Sequence, residues 1–392
     1  MFDARRHDDM TFATWAAIYL GVAAATLPAV LPVMVGVLTD KLDFGAVRAG
    51  YVASANMIGV ALGGVICAAA ARRWTWQPLI RAGTATMIGT NLLTTLVTSF
   101  PSIATLRFVA GLGEGVVGAV CYAAMSRSRR PARALAFYIA GQGLVGAVGM
   151  GAIPTVVERA GWPWLFVLVC LVALPAFWLA RPIETLQTRA QETRANSSAV
   201  TWLSWYALVG ILIFAVGMSA VWAFVERIGH SRAIDLAHLS LSLSASAVAN
   251  MAGALLVGFA AHRLSNVAGL TTGYSLALAG LVGLAGSGVW PLYLAAVAAF
   301  FFSWGFYVPF QFTLLAHVDA AGNRPLLVPL VTGGGLTLGP AIGGLLMAHG
   351  GTTAVCIFGF ACVTASTASS IHLHCLSMRD ASPARNPTLP SR

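Results

Sequence analysis

Long apolar stretches separated by short charged, prolyl or glycyl breaks recur along the chain. They fall at approximately 12–37, 47–70, 78–98, 103–125, 134–156, 162–180, 202–225, 237–260, 267–287, 290–316, 326–348 and 351–373. None alternates with period two, as a membrane β-strand does, so each predicts an α-helix rather than a barrel strand. A hydrocarbon core about 30 Å thick needs about 20 apolar residues per crossing, which leaves room in the chain for roughly twelve. The first stretch is too long for a signal-peptide core and lacks an A-x-A cleavage site before charge resumes, so it predicts a retained helix. The least apolar interior segment, 181–201, lies near the chain midpoint and divides six predicted helices from six. The expected fold is therefore an all-α membrane protein of two pseudo-symmetric six-helix bundles. The first spans 1–180 and the second 202–374, with a linker over 181–201 and a cytoplasmic tail over 375–392.

An internal echo supports the division. Ala55-Asn56-Met57-Ile58-Gly59 in the second predicted helix returns as Ala249-Asn250-Met251-Ala252-Gly253 in the eighth, an offset of 194 residues, and Gly64 matches Gly258 at the same offset. Both helices then reach a basic pair, Arg72-Arg73 and His262-Arg263, at an offset of 190. Two repeated bundles flanking a midplane site are a common plan for secondary transporters.

With 58% hydrophobic and 9% charged residues and a mean hydropathy of +0.80, the chain has too little charge for a water-solvated surface of this size. The net charge of +10 reports orientation rather than a nucleic-acid partner. With a cytoplasmic N-terminus, all but six of the 23 Lys and Arg residues fall in cytoplasmic segments; Lys41, Arg48, Arg107, Arg159, Arg227 and Arg232 are the exceptions. The positive-inside rule then places both termini in the cytoplasm. A single lysine against 22 arginines fits a GC-rich bacterial genome, and hence the bacterial cytoplasmic (inner) membrane. The six cysteines lie in or beside predicted helices without close metal-ligand spacing, so neither a disulfide framework nor a metal is expected, and no cofactor. The absence of a Gly-x-x-x-x-Gly-Lys-Ser/Thr loop argues against a built-in ATPase, and no nucleophile or acid–base constellation points to an enzyme.

Glu114 stands in the middle of an apolar span, where a carboxylate costs at least about 2.5 kcal/mol and marks function by default. Arg107 lies two turns away on the same face, about 10 Å along the axis. Two roles are open to Glu114: a proton carrier, or a permanently protonated group bonded to a neighbouring helix while Arg107 snorkels outward. Glycines 111, 113 and 115 either open space beside it or let helices approach closely. In the seventh span Trp222 and Glu226 share a face near the outer mouth, for solute attraction or gating, or as an interfacial anchor and a solvated helix end. In the tenth, Trp304, Tyr307 and Gln311 form a polar aromatic stripe suited to a planar organic ligand, and Pro309 is placed to break the helix. Asn56, Asn91, Gln142 and Asn250 are candidates for interhelical hydrogen bonds.

The six-plus-six plan, the run Arg107-Phe-Val-Ala-Gly111-Leu-Gly113-Glu114-Gly115 and the opening Gly161-Trp162-Pro-Trp164-Leu-Phe166 together resemble the major facilitator superfamily over nearly the whole chain. The run Gly335-Leu-Thr-Leu-Gly339-Pro340-Ala-Ile-Gly343-Gly344 is similar to the family's antiporter motif, but it lies in helix 11 rather than helix 5. The family's loop 2–3 signature is degenerate: Arg72 stands where an acid is usual, followed by Arg73, and His262-Arg263 takes the corresponding place in the second half. The resemblance implies a monomeric transporter whose helices 1, 4, 7 and 10 line a central cavity. Residues 72, 73, 262, 263, 335, 339, 340 and 343 would then serve gating or helix packing. The expectation is a proton-coupled transporter of a small organic solute, with Glu114 carrying the proton and Arg107 favouring an organic anion. The alternatives are proton-driven efflux of drugs or cations and, outside transport, a membrane sensor or enzyme.

Overall fold

Proline decides where the apolar stretches fail to form single helices. The computed structural model describes residues 10–71, 73–128, 131–187, 202–260, 264–286, 288–318 and 328–380, and among these all regular structure is helical. The first stretch is three helices: α1 (Phe12–Ala24), α2 (Thr26–Ala29) and α3 (Leu31–Asp40). Pro28 and Pro32 lack the N–H that an unbroken ladder would use, and Ala25 and Val30 leave helical geometry. The sixth stretch divides likewise around Pro175 into α8 (Trp164–Ala173) and α9 (Ala176–Leu179), and the expected linker opens with a further short helix after Pro182, α10 (Glu184–Gln187). Between them run α4 (Gly45–Ala70), α5 (Trp76–Thr94), α6 (Phe100–Ser126) and α7 (Pro131–Ala160). Beyond lie α11 (Trp202–His230), α12 (Leu236–Ala260), α13 (Asn266–Gly286), α14 (Trp290–Val318) and α15 (Val328–Asp380). The last is helical on either side of Gly351, whose φ of 66° and ψ of −162° separate the two final apolar stretches. Pro309, expected to break its helix, lies inside a continuous α14, as Pro340 lies inside α15. Among the described residues eight helices are long and apolar enough to cross a membrane.

Helices surrounded by lipid gain little from hiding apolar surface, so they associate by close van der Waals approach at small residues. Gly59 and Gly63 of α4 face the Phe108 and Leu112 carbonyls of α6, and Gly111 and Gly115 of α6 face the Asn56 and Val60 carbonyls in return. A Cβ at any of the four would overlap a backbone oxygen. The same interlock joins α12 to α14, with Gly253 against the Phe302 carbonyl and Gly305 against the Asn250 carbonyl. Asn56, Gly59, Phe108 and Gly111 match Asn250, Gly253, Phe302 and Gly305, each at the offset of 194 that the sequence displays.

Among the described residues, segments before and after the chain midpoint meet chiefly where α3 packs on α11, α4 on α15 and α7 on α12. Asp40 at the end of α3 forms an ion pair with Arg227 of α11. Gly50 of α4 lies under the Pro340 carbonyl of α15, and Gly344 under the Ala46 carbonyl. Ser244 of α12 donates to the Ala147 carbonyl of α7 at 2.7 Å. These contacts gather toward one end of the bundle, where α3, α7 and α11 finish and α4 and α12 begin. One apolar core, shared by residues from both sides of the midpoint, covers this end and continues along the second half to Leu208, Leu315 and Leu373. At the opposite end a separate core, including Ala13, Cys67, Trp76, Met125 and Ile183, draws only on residues before it. The bundle is joined at one end and divided in its packing at the other.

Gly59→Val and Gly253→Val each force a branched side chain onto a backbone oxygen that cannot rotate away. Each should destabilise the protein by about 1–3 kcal/mol, the usual cost of overpacking. Gly64→Ala, with nothing within 4 Å of its Cβ, should melt with the wild type. Thermal melts in detergent test this, and a Gly59→Val melt equal to that of Gly64→Ala would show that the interlock does not hold the pair.

Candidate functional site

The α4–α6 interlock brings Asn56 against Glu114. Asn56 Nδ2 donates to Glu114 Oε2 at 2.7 Å, and both side chains are buried, Glu114 only 2% exposed. Asn56 Oδ1 and Glu114 Oε1 have no hydrogen-bond partner among the described residues. The carboxyl therefore has one fixed donor and one open oxygen, a geometry able to hold a proton or a second donor.

Arg107 does not join that pair, although seven residues place it on the same nominal face. Its NH1 donates to Asn91 Oδ1 at 2.8 Å and its NH2 to Thr94 Oγ1 at 2.8 Å, both on α5. The guanidinium also lies 4.6 Å from the Phe166 ring centroid of α8. The expectation gives Arg107 a solute; the structure commits it, at 0% exposure, to α5 and α8. Asn91 is held in turn by its own donation to the Met87 carbonyl at 2.8 Å. Snorkelling outward is excluded by the same enclosure.

Glu226 occupies a different kind of place. It is 9% exposed on α11, pressed against α3 so closely that a Cβ at Gly36 would collide with both carboxyl oxygens. Its Oε2 has no hydrogen-bond partner among the described residues, and the adjacent Arg227 is engaged by Asp40 instead. Tyr293 of α14, nearby on the same side, donates to the Val225 carbonyl at 2.8 Å. The solvated helix end expected at Glu226 is thus an enclosed carboxyl within the α3–α11 contact. Gly36 and Asp40 escape a reading of the sequence, where a glycine in an apolar run and an acid at a helix end carry no distinguishing pattern.

Trp222, one turn before Glu226, meets the Phe301 ring edge-on at 4.4 Å, and Phe301 stacks on Trp304 at 6.1 Å. Tyr307 and Gln311 separate from this cluster. Tyr307 stacks on Phe214 at 4.6 Å and bonds Thr367 Oγ1 at 2.9 Å. Gln311 Nε2 donates to Ser366 Oγ at 2.9 Å, and Ser366 donates to the Gly210 carbonyl, so this pair ties α14 to α15 and α11. Asn250 donates to the Phe301 carbonyl at 3.0 Å, fixing the backbone that presents the aromatic cluster. Gln142 donates within its own helix, to the Tyr138 hydroxyl at 2.7 Å.

Gly335, Gly339 and Gly343 seat α15 on α11, against Ala215, Ser219 and Ala220 respectively, and Ser219 donates to the Gly335 carbonyl at 2.9 Å. Pro340 and Gly344, on the other side of the same helix, meet α4. Arg73 is exposed, while Arg72, His262 and Arg263 lie outside the described residues.

A bundle of apolar helices packed through glycine, eight of them among the described residues long enough to cross a membrane, is the architecture of a polytopic membrane protein. Residues 12–325 match the Major Facilitator Superfamily model, and the chain belongs to that family. Among curated proteins none matches the sequence. Among solved structures, a mutant of the nucleoside transporter NupG aligns with a TM-score of 0.72 at 11% identity, over 93% of this chain and 100% of that one. A second NupG structure aligns with a TM-score of 0.68 at 11% identity, over 93% and 98%. A bacterial homologue of the human lysosomal transporter Spinster, in an inward-facing and unoccupied conformation, aligns at 0.59 with 13% identity, over 93% and 94%. At these identities the likeness is one of fold.

Arg107→Gln removes hydrogen bonds made by a charged group, worth about 1.5–3 kcal/mol each, and strands Thr94 and Asn91 in a buried site. The variant should melt well below the wild type, and solute affinity measured on its folded fraction should be unchanged. Weakened solute binding at an unaltered melting temperature would instead give Arg107 a direct role.

Proposed function

We propose that the chain is a proton-coupled secondary transporter that moves a small organic solute across the bacterial inner membrane by alternating access. Twelve crossings follow if α1–α3 count as one, α8 and α9 as one and α15 as two. The moving bodies are then residues 1–180 and 202–374, joined by 181–201, with a tail over 375–392 and both ends in the cytoplasm. The observation that carries this reading is Glu226, a buried carboxyl with an unpartnered oxygen inside the α3–α11 contact. An ionised carboxylate enclosed there would bear a desolvation cost that no free cation offsets. Carrying a proton removes that cost, and so does parting the helices to admit water, so proton occupancy and closure of that end are coupled. Glu114, held by Asn56 in the first half, supplies a second proton site. On the proposed orientation the joined end faces outward and the divided end inward, in keeping with the likeness to the inward-facing Spinster homologue.

The solute we favour has a planar part, which the Trp222, Phe301 and Trp304 rings would receive. An organic anion would need a cation other than the enclosed Arg107. Nucleosides, the solutes for which the similarly folded NupG is named a transporter, combine a planar base with hydroxyls and stand first among the classes to try. A cation expelled in exchange for protons is the second reading, favoured by the placing of Trp222 one turn from Glu226.

Solute-driven proton movement in oriented vesicles tests the proposal, with nucleosides, organic acids and lipophilic cations compared. One class should drive proton flux. Glu226→Gln, which keeps shape and loses the titrating group, should reduce that flux at least about tenfold while solute exchange persists, since coupling of one proton is an all-or-none property of the site. Flux unaltered in both Glu226→Gln and Glu114→Gln would remove proton coupling through these residues, and solute uptake without any proton movement would make the protein a passive carrier.

A further inference from the structure

A cavity of about 760 Å³ opens between α5 and α9, lined by Arg81, Phe177, Trp178 and Arg181. It lies apart from the carboxyls and aromatic cluster described above, near the beginning of α5 and beyond the end of α9. Its size falls within the about 300–1,000 Å³ typical of ligand pockets. α9 is only four residues long, so its termination leaves the Phe177 carbonyl without a helical donor. Arg81 Nε fills that place at 3.3 Å, which anchors the guanidinium at the cavity wall. With the Gln77 amide turned so that its oxygen faces the guanidinium, it accepts from NH1 at 3.1 Å and NH2 at 3.0 Å. Of the five N–H donors an arginine carries, two are left over, and the exposed Arg181 adds its own. Among the described residues no carboxylate pairs with either guanidinium.

The remaining features select the form of the anion. Trp178 is 72% exposed at the rim, in the amphipathic setting that tryptophan occupies at membrane interfaces. Leu174 and Leu171, four and seven residues before Trp178 and on the far side of the break at Pro175, are also exposed. Basic pockets between helices at a membrane surface bind anionic headgroups, and here an apolar track leads away from the basic group. We propose that this cavity binds a phosphate group presented by an anionic phospholipid, with Arg81 and Arg181 holding the phosphate, Trp178 the glycerol region, and Leu174 and Leu171 an acyl chain. The same guanidinium pair would accept inorganic phosphate, so the two sources are separated by experiment.

Native mass spectrometry of the full chain released from detergent, after incubation with phosphatidylglycerol or phosphatidylcholine of matched chains, reads the site directly. Phosphatidylglycerol should be retained preferentially, and Arg81→Gln with Arg181→Gln should weaken retention by about fivefold per charge removed. Arg181→Gln alone alters an exposed side chain, so its loss of retention is readable without concern for folding. Phosphatidylglycerol brominated in its acyl chains should quench a fluorescence component that is missing in Trp178→Phe. Equal retention of the two lipids, or retention unaffected by Arg181→Gln, overturns the proposal. Displacement of the lipid by inorganic phosphate, with no quenching at Trp178, overturns the phospholipid as the source and leaves a soluble anion.

Discussion

Close backbone approach at glycine is the constraint on which the remaining architecture rests. Lipid tails are as apolar as leucine, so a helix in this protein gains little by exchanging one for the other, and contact must come from intimate packing. The Gly59–Phe108 and Gly111–Asn56 approaches bring α4 and α6 close enough for an asparagine amide to reach a carboxyl on the next helix. With leucine at either glycine, the spacing would pass beyond hydrogen-bond reach and Glu114 would lose its one donor. The contacts across the midpoint use the same device: Gly50 and Gly344 admit backbone carbonyls, and Gly36 admits the Glu226 carboxyl. A single kind of contact thus builds the helix pairs, joins the two sides of the chain and encloses the ionisable groups.

The extent to which this is legible in sequence follows from the range of each interaction. Asn56, Gly59 and their echo at Asn250 and Gly253 are visible because the interlock requires small residues at fixed positions, and a required residue leaves a pattern. Glu114 is visible because a carboxylate in an apolar run is costly wherever it points. The direction of Arg107 is not, because helical spacing fixes only the face on which a side chain begins. α6 packs against both α4 and α5, and a long arginine starting between them can turn to either. Asn91 and Thr94 on α5, with Phe166 beyond, offer acceptors and a π face together, and that combination becomes apparent only when the helices are assembled. The interrupted first and sixth stretches are written plainly in Pro28, Pro32 and Pro175, and apolar character alone passes over them.

Enclosing Arg107 without a bonded carboxylate has a consequence for rigidity. The guanidinium meets an amide oxygen, a hydroxyl and an aromatic face, each belonging to a different position on α5 or α8, while its Nε has no hydrogen-bond partner among the described residues. Moving α6 relative to either helix would strip those partners from a buried charge, which costs far more than the sliding of apolar side chains. α5, α6 and α8 are therefore bound to move together. The α3–α11 contact has no such lock: Asp40 and Arg227 remain partly exposed, and the Glu226 oxygen has no partner to lose. The arginine thus fixes helices within the first half, while across the midpoint the α4–α15 glycine approaches and the Ser244–Ala147 hydrogen bond, not a buried charge, hold the two sides together.

The repeat is a repeat of scaffold and not of chemistry. At the offset of 194 that aligns the two interlocks, Arg107 corresponds to Phe301, Glu114 to Val308 and Gly115 to Pro309. Gly59 and Gly111 match Gly253 and Gly305 while Gly63 and Gly115 meet Val257 and Pro309, and the residues that carry charge on one side are apolar on the other. In the second half the amide of Asn250, with no carboxyl to meet, donates to the Phe301 carbonyl instead and so fixes the strip of backbone on which the aromatic cluster stands. One asparagine holds an acid and its counterpart holds an aromatic platform. The same helix pair, used twice with different side chains, thus presents a buried carboxyl in the first half of the chain and an aromatic cluster in the second.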